Sequence, residues 1–436
     1  MSEKHLIRVD RLARVEGEGA LEVKIRDGDV VEARFSVMEP PRFFEALLRG
    51  RQFSDAPDIT ARICGICPVA YQMSAVHAME SIFGVDIPDA IRSLRRLLYC
   101  GEWIQSHALH VYMLHAPDFL GKDSVFEISQ DYPEIVERGL RLKAAGNSIL
   151  KLLGGRAVHP INVCVGGFYR IPPDDAFSEL LDEMRIALDD AVETVAWVSD
   201  FDYPEFDPGY EWVALQHPDE YPFCEGRLVS SAGLDVAVSE FQEVIEEEHV
   251  SHSTALYARL RDGGHYHVGP MARFATSGDR LREQARKCAR EAGLLDAPGN
   301  PFQSILVRAI EIVQCCEEAV GVLEALERPT EPHAPVNVRA GIGHAVTEAP
   351  RGSLYHRYEV DDDGAIVSAT IVPPTSQNQA SIEDDLRKFV TTRLDLPRDV
   401  LRRQCEQAIR NYDPCISCST HCLQMTIDDD GVIHRL

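Results

Sequence analysis

Residues 62–70 read RICGICPVA and residues 413–421 read DPCISCSTH, so two Cys-x-x-Cys motifs stand near opposite ends of this 436-residue chain. They supply Cys64, Cys67, Cys415 and Cys418. Four thiolates brought together select thiophilic metals, which include zinc, the iron of iron–sulfur clusters and nickel. A small zinc module would keep both motifs within a few tens of residues, so any metal here must be held by the whole fold.

Neither Cys-x-x-Cys motif is flanked by the βαβ pattern of a thioredoxin-type dithiol. The other cysteines, histidines and acidic residues that could bind metals have simpler interpretations. The remaining cysteines, including adjacent Cys315 and Cys316, are expected to be small core residues. His107, His110 and His115 are interpreted as packing or hydrogen-bonding histidines. The acidic run at 246–249 with His252 is interpreted as a solvated helix face rather than a metal site.

Composition narrows the class of protein. The chain is 45% hydrophobic and 26% charged, which is enough apolar material for a large core. Its formal net charge is -26, so phosphate backbones are repelled and nucleic acid is not expected as a partner. The first thirty residues hold no signal segment, and no apolar run is long enough to span a bilayer. The sequence therefore predicts a soluble cytoplasmic protein without membrane insertion.

Hydrophobic periodicity predicts an α+β chain that is predominantly helical, with small β-sheets. Apolar residues recur at helical spacing in four long segments, and a further helix is expected from about Asp399. The four segments are 90–113, 132–153, 175–198 and 302–326. Alternation predicts one hairpin in 21–37 and another in 358–367, around Asp27-Gly28-Asp29 and Asp361-Asp362-Asp363-Gly364. No flexible linker divides the chain, so one large domain is expected.

The residues around the cysteines resemble a known family. RICGICPVA and DPCISCSTH, with RVEG at 14–17, resemble the signature motifs of nickel–iron hydrogenase large subunits. The segments PPRFFEALLRGR at 40–51, HALHVYMLHAPDFLG at 107–121 and APRG at 349–352 extend the resemblance over essentially the whole chain. The first of these and VPPTSQNQ at 372–379 are most similar to the cytoplasmic, NAD(P)-linked sulfhydrogenase branch. The resemblance implies a long-helix bundle with small peripheral sheets.

The resemblance also implies a metal centre and its ligands. Nickel would be bound by all four cysteines, with Cys64 and Cys415 terminal and Cys67 and Cys418 bridging to an iron that carries carbon monoxide and cyanide. Dihydrogen would be cleaved heterolytically, with Cys415 as the first proton acceptor and Glu16 as the relay. Electrons would leave through other subunits.

Further residues match positions that surround this centre in the family. Arg351, Asp118 and Asp413 match the residues that overhang the open metal site, where a guanidinium held by carboxylates can polarise the substrate. Glu45 and His421 match the ligands of a separate magnesium or second iron ion. Thr375 stands where relatives anchor a cyanide, since Pro374 offers no N–H there. Tyr71 replaces a histidine found in many relatives, and the next histidine is His77.

Family precursors are cut after the histidine that matches His421. We therefore expect residues 1–421 to form the hydrogenase domain and residues 422–436 to be a C-terminal extension removed by a maturation endopeptidase.

The electrons released from dihydrogen would need further subunits to carry them. Two electrons leave per dihydrogen, yet the sequence has no second cysteine cluster of iron–sulfur type and no GxGxxG turn. A small iron–sulfur subunit is therefore expected, with flavin- and NAD(P)-binding and further iron–sulfur subunits in the resembled branch. Two alternatives remain: a non-catalytic relative of the quinone-reductase type, which typically lacks the paired cysteines, and a structural zinc protein.

Overall fold

The computed structural model describes residues 4–40, 42–294, 299–420, 426–429 and 432–435. Seven long helices build most of the fold, and we label them in chain order. They are α1 (Pro68–Phe83), α2 (Asp89–Ala108), α3 (Pro133–Gly154), α4 (Asp174–Ser199), α5 (Ser304–Glu324), α6 (Pro374–Thr391) and α7 (Arg398–Arg410).

The long helices form a bundle around the largest hydrophobic core. Helix α2 packs along α3 and α5, and α5 packs along α4. Leu98, Trp103, Ile149, Met184 and Ile310 are among the buried side chains that these helices share. Helix α2 continues as a π-helical segment, Leu109–His115, which carries the chain toward the second cysteine pair. The helices predicted from periodicity are confirmed, with ends within a few residues of the expected ones apart from this π segment.

Two antiparallel three-stranded sheets flank the bundle. The first contains β1 (Lys4–Val9), β2 (Gly19–Arg26) and β3 (Asp29–Val37). The second contains β4 (Gly341–Ala349), β5 (Gly352–Val360) and β6 (Ile366–Val372). Both predicted hairpins are confirmed, as β2–β3 and β5–β6. The β2–β3 turn has positive φ at Asp27 and Gly28, as a two-residue type I′ turn requires.

Shorter elements complete the described chain. The short α-helices are Phe44–Leu48, Ala56–Thr60, Ala116–Phe119, Val125–Asp131, Phe241–Val244, Pro270–Ser277 and Glu283–Glu291. The short strands are Val163–Cys164, Gly167–Phe168, Val213–Gln216, Arg227–Ser230, Asp235–Val236, Ile245–His249, Leu256–Leu260, Thr426–Asp429 and Val432–Arg435. No helix among the described residues has both the length and the apolar character needed to cross a membrane.

One element differs from the expectation. The acidic run 246–249 lies in the strand Ile245–His249, which pairs antiparallel with Leu256–Leu260, and is not a helix face. The alternation of a strand turns Glu246 and Glu248 to solvent and Glu247 inward. Glu247 is only half-buried overall, but its Oε1 is shielded from solvent and has no hydrogen-bond partner among the described residues. The expectation of a fully solvated acidic face was therefore wrong for this residue.

Candidate metal centre

The four motif cysteines meet in the interior of the molecule. Cys64 and Cys67 lie in the loop between the 3-10 turn Ala61–Ile63 and α1, while Cys415 and Cys418 lie at the 3-10 turn Ile416–Ser419, after α7. All four are buried, and their sulfur atoms lie within 4.8 Å of one another. The Cys64 and Cys415 sulfurs are 3.5 Å apart, and those of Cys415 and Cys418 are 2.7 Å apart. The fold thus joins the two ends of the chain at one cluster of sulfur atoms.

The spacing and burial of these thiols fit a bound metal group. Metal–sulfur bonds of roughly 2.3 Å allow two sulfurs on one ion to stand at most ~4.6 Å apart, close to the observed spread. Burial raises the pKa of the Cys415 and Cys418 thiols. Burial also opposes ionisation of Cys64, but hydrogen bonds from the other three thiols and the charge of Arg351 hold its pKa well below the ordinary value. A metal cation would let all four ionise together.

Backbone N–H groups and a buried carboxylate shape the first cysteine pair. The amides of Ile66 and Cys67 donate to Cys64 Sγ at 3.3 and 3.2 Å. Glu102, from α2, accepts the amides of Val69 and Ala70 at 2.6 and 3.0 Å, at the start of α1. Glu102 therefore fixes the first turn of the helix that follows Cys67. Sequence analysis did not identify Glu102, because its partners lie at the start of another helix.

Glu16 contacts the second cysteine pair through both backbone and side chain. Its carbonyl accepts the amide of Ile416 at 3.0 Å, and the segment bridges to Cys415. Its Oε2 lies 3.2 Å from Cys415 Sγ and accepts the amide of Ser417 at 3.1 Å. The Ser417 hydroxyl in turn donates to Glu39 at 3.0 Å. The structure thus brings the expected relay residue to the expected cysteine, and it adds Glu39 to the expected set.

Gly17 allows the backbone of the Glu16 segment to lie close to the second cysteine pair. Its φ is +86°, and a Cβ atom there would stand 2.8 Å from the Cβ of Ile416 and 2.6 Å from an oxygen of Glu39. Any side chain at this position would push the Glu16 segment away from the cysteines.

Arg351 and Asp413 form a buried ion pair beside the sulfur cluster. Arg351 Nε donates to the Asp413 carbonyl at 2.7 Å, and Nη2 donates to Oδ1 at 3.1 Å. Burial opposes the charge of Arg351, but Asp413 and the thiolates of Cys415, Cys67 and Cys64 raise its pKa. Burial likewise raises the pKa of Asp413, against the opposing charge of Arg351. Asp413 has a φ of +50°, so this contact is made by a strained backbone.

Asp118 forms ion pairs with arginines other than Arg351. Its ion pairs among the described residues are with Arg14 at 2.5 Å and Arg410 at 2.6 Å. The structure therefore brings Asp413, and not Asp118, against Arg351. Asp118 instead connects the Glu16 segment to the end of α7, because Arg14 stands two residues before Glu16 and Arg410 ends the helix.

Thr375 contacts the backbone of a cysteine. Its Oγ1 accepts the amide of Cys415 at 3.0 Å from the first turn of α6. The hydroxyl hydrogen is left to donate elsewhere.

Glu45 is buried and accepts the amide of Ile371 at 2.7 Å. Burial raises its pKa to about 7. Burial also raises the pKa of Glu247, with a further contribution from the charge of Glu45. His421 lies outside the described residues.

The three histidines at the end of α2 and in the π segment make hydrogen-bonding or packing contacts. His107 Nε2 lies 2.8 Å from a Glu311 oxygen, and His110 Nε2 lies 2.8 Å from the Arg410 carbonyl. His115 packs edge-on against His110 and Phe119. Over the part of the chain that the structure describes, the grouping of potential metal ligands that is close enough to hold an ion is the four-cysteine cluster.

Comparisons with known proteins agree with this geometry. A family model described as nickel-dependent hydrogenase matches residues 42–137. The sulfhydrogenase 1 alpha subunit of Pyrococcus furiosus is 33% identical over 96% of this chain and 98% of that protein. The chain belongs to the nickel-dependent hydrogenase family. The beta subunit of the NAD-reducing hydrogenase HoxS of Cupriavidus necator is another relative of this hydrogenase, 27% identical over 97% of this chain and 96% of its own.

A solved structure confirms the hydrogenase fold. An NAD+-reducing NiFe-hydrogenase in its H2-reduced state matches with a TM-score of 0.87 at 27% identity, covering 96% of this chain and 99% of that one. The predicted helical α+β class and the predicted likeness to the sulfhydrogenase and NAD-linked branch are confirmed. As a member of this family the chain is a hydrogenase large subunit, an oxidoreductase.

Proposed function

We propose that this hydrogenase subunit catalyses the reversible heterolytic cleavage of dihydrogen at a nickel–iron centre held by Cys64, Cys67, Cys415 and Cys418. The observation that carries the proposal is the closed cluster of four buried sulfurs with a carboxylate oxygen 3.2 Å from one of them. When bound, the nickel and the iron with its carbon monoxide and cyanide ligands would supply the Lewis acidity and the redox change.

The residues of the chain would carry the proton. The Cys415 sulfur is the first acceptor, and Glu16 Oε2 lies in hydrogen-bond contact with it. The Ser417 amide holds that same oxygen in place, so the carboxylate is fixed toward the thiol. Glu39 is the next carboxylate outward, because it accepts the hydroxyl of Ser417 and is half-exposed.

Positive charge beside the cluster would act on the substrate. Arg351 is buried, and its Nη1 has no hydrogen-bond partner among the described residues. Asp413 fixes its other nitrogens, so the guanidinium presents a rigid, permanently charged donor. Asp118, through Arg14 and Arg410, would hold the segments that carry Glu16 and the second cysteine pair. Thr375 can offer its hydroxyl hydrogen to a polar ligand of the iron.

A second ion is proposed at Glu45. Glu45 is buried and its pKa is raised to about 7, and a hard cation would compensate the charge of such a carboxylate. His421 completes the proposed magnesium or iron site from the sequence alone.

Partner subunits are proposed for the electrons. Gly65, between the two cysteines of the first pair, is exposed although Cys64 and Cys67 are buried. The metal centre therefore stands one residue from the surface there, which favours docking of the small iron–sulfur subunit over Gly65. The names of two relatives, an NAD-reducing and an NAD+-reducing hydrogenase, support NAD as the final acceptor. The flavin- and NAD(P)-binding subunits and the further iron–sulfur subunits stay predictions. A cytoplasmic location stays a prediction.

Processing at the C-terminus completes the proposal. We expect the maturation endopeptidase to cut after His421, leaving the single domain 1–421. The intact mass of the active subunit measures this, and an active form that retains residues 422–436 would contradict it.

Metal analysis and infrared spectroscopy of the purified complex test the function. Nickel and iron together, with absorption bands of carbon monoxide and cyanide, are expected; zinc alone would support a structural zinc protein, and no metal would support a non-catalytic relative. Replacing Cys64, Cys67, Cys415 or Cys418 by serine should abolish nickel retention, because a neutral hydroxyl is a poor substitute for a thiolate. The control is Cys164→Ser, a half-buried thiol outside the cluster. Full hydrogenase activity in a cluster variant would contradict the assignment.

A further inference from the structure

Tyr71 is a buried hydroxyl donor without an acceptor. Its side chain is 0% exposed, and its hydroxyl has no hydrogen-bond partner among the described residues. A buried hydroxyl without a partner has lost its hydrogen bonds to water without replacing them, so such groups are rare in the interior of native proteins.

Tyr71 lies on the side of helix α1 that faces the cysteine cluster. Helix α1 begins directly after Cys67, and residue 71 stands one helical turn further on, on the same side of the helix. Burial is the main cause of a strongly raised Tyr71 pKa, and the charges of Cys418, Cys67, Cys415 and Cys64 each raise it further. The phenol therefore lies close enough to all four sulfurs to feel their charge.

Neighbouring groups hold the phenol in this place. Tyr71 belongs to the core that surrounds the cysteines, together with Leu354 and Tyr358. Its ring centroid is 5.8 Å from that of His356, and its carbonyl accepts the hydroxyl of Thr60 at 3.2 Å. The hydroxyl is thus held rigidly beside the cluster.

We propose that Tyr71 donates a hydrogen bond to an anionic acceptor of the bound metal centre and so tunes the electron density of that centre. This inference rests on the proposed function. None of the four cysteine sulfurs accepts the Tyr71 hydroxyl in this structure, so the acceptor would be an anionic ligand that arrives with the metal group, such as a cyanide on the iron. A cyanide is an anionic acceptor that pairs with a phenol O–H.

The Tyr71→Phe variant tests the proposal, because it removes the hydroxyl and keeps the ring that fills the core. The measurement is the infrared spectrum of the purified complex, recorded in H2O and in D2O. Loss of a hydrogen bond to a cyanide would move one cyanide band alone and remove its sensitivity to D2O, and this result supports the proposal. A shift of the carbon monoxide and cyanide bands together to lower wavenumber would instead indicate a lost hydrogen bond to a cysteine thiolate and would overturn the assignment of the acceptor.

Tyr99→Phe is the matched control. Tyr99 is also 0% exposed and lies on helix α2, but the charges that act on it are those of Cys224, Glu102 and Arg95 rather than the four ligands, and its hydroxyl interacts with the side chain of Thr347. The carbon monoxide and cyanide bands of Tyr99→Phe should equal those of the wild type. Unchanged bands in Tyr71→Phe, with nickel and iron retained, would overturn the proposal. Absence of carbon monoxide and cyanide bands from the wild type would instead overturn the proposed function.

Discussion

Glu16 and Cys415 stand 399 residues apart in sequence and 3.2 Å apart in space. This contact depends on small local features: the open backbone at Gly17 and the amide of Ser417, which holds the carboxylate oxygen. Both features also hold the turn that carries Cys415 and Cys418, so the proposed proton transfer has to be separated from a structural role by experiment.

Glu16→Gln tests this directly. Glutamine keeps the shape and can still accept the Ser417 amide, but it cannot ionise. Nickel, iron and the infrared bands should remain, while turnover with an electron acceptor should fall by about 10²-fold or more. The control is Glu18→Gln, whose exposed carboxylate pairs with Arg11 at the surface. Normal turnover in Glu16→Gln would mean that the proton leaves by another route.

Arg351→Lys tests the role of the guanidinium. Lysine keeps the charge but cannot donate to the carbonyl and the carboxylate of Asp413 at once. We expect hydrogen uptake to fall by roughly 10²-fold with the metals retained. The control is Arg357→Lys, on strand β5, whose guanidinium pairs with Glu359 in a half-buried position. Equal losses in the two variants would show that the effect is structural.

Helix α6 connects the metal centre to a second group of titratable side chains. Its first turn holds Thr375 against Cys415, and three turns later Asp385 accepts the hydroxyls of Tyr210 and Tyr412. Tyr412 directly precedes the strained Asp413. The helix therefore anchors both the cysteine backbone and the segment that holds Arg351.

Asp385 predicts a pH dependence of stability. Burial raises its pKa from 3.8 to about 7, although both tyrosines lower it. The folded chain thus holds this proton more tightly than the unfolded chain, so its contribution to the unfolding free energy is complete below about pH 4 and is lost as the pH rises to about 7. The loss amounts to at most ~4 kcal/mol. Urea unfolding at pH 4 and pH 8 should show a smaller difference for Asp385→Asn than for the wild type.

The control for this measurement is the neighbouring Asp384→Asn. Asp384 is partly exposed and pairs with Lys388 at 2.9 Å, and its charge contributes less to the raised pKa of Asp385 than burial does, so its loss should change the pH dependence much less than Asp385→Asn. If the pH dependence of the unfolding free energy is the same in Asp385→Asn as in the wild type, it arises from other groups.

Helices and hairpins could be predicted from the sequence where a local pattern of hydrophobic or turn residues indicates them. The periodicity of α4 and the Asp27-Gly28 turn of β2–β3 are local, and both are confirmed. Glu247 was misjudged because three consecutive glutamates look solvated, whereas the pairing with Leu256–Leu260 turns the middle one inward. Glu102 was missed for a related reason: the partner of its carboxylate is the start of another helix, which no pattern within α2 reveals.

At the scale of the whole molecule, the centre joins segments from the N-terminus, α1, α6 and the chain after α7. Resemblance of the motifs predicted that these cysteines belong together, but composition and spacing alone left zinc, iron–sulfur and nickel open. The ion pairs of Asp118 show the remaining limit. A motif can indicate that an acidic residue lies near the site, but which arginine it contacts depends on how four segments pack.

The exposed Gly65 gives a test of assembly that leaves the isolated subunit almost unaffected. A Cβ atom at Gly65 would meet nothing within 4 Å, and its backbone does not need the positive φ that favours glycine. Gly65→Arg should therefore fold and unfold like the wild type as an isolated chain. In the complex the same side chain would stand between the buried cysteines and the proposed iron–sulfur partner. Electron transfer slows steeply with distance, so that partner must approach the cluster closely, and the exposed Gly65 lies between two of its cysteines.

We expect Gly65→Arg to lose co-purification of the iron–sulfur subunit, or to keep it with strongly reduced electron transfer, while the subunit retains nickel and iron. The measurements are subunit stoichiometry, metal content and hydrogen-dependent reduction of the acceptor. Ala232→Arg is the control, since Ala232 is exposed on the turn between Arg227–Ser230 and Asp235–Val236. It introduces the same side chain at a site with no proposed contact, and it should assemble normally. A Gly65→Arg complex with normal stoichiometry and normal acceptor reduction would place the partner on another face and would require a longer path for the electrons.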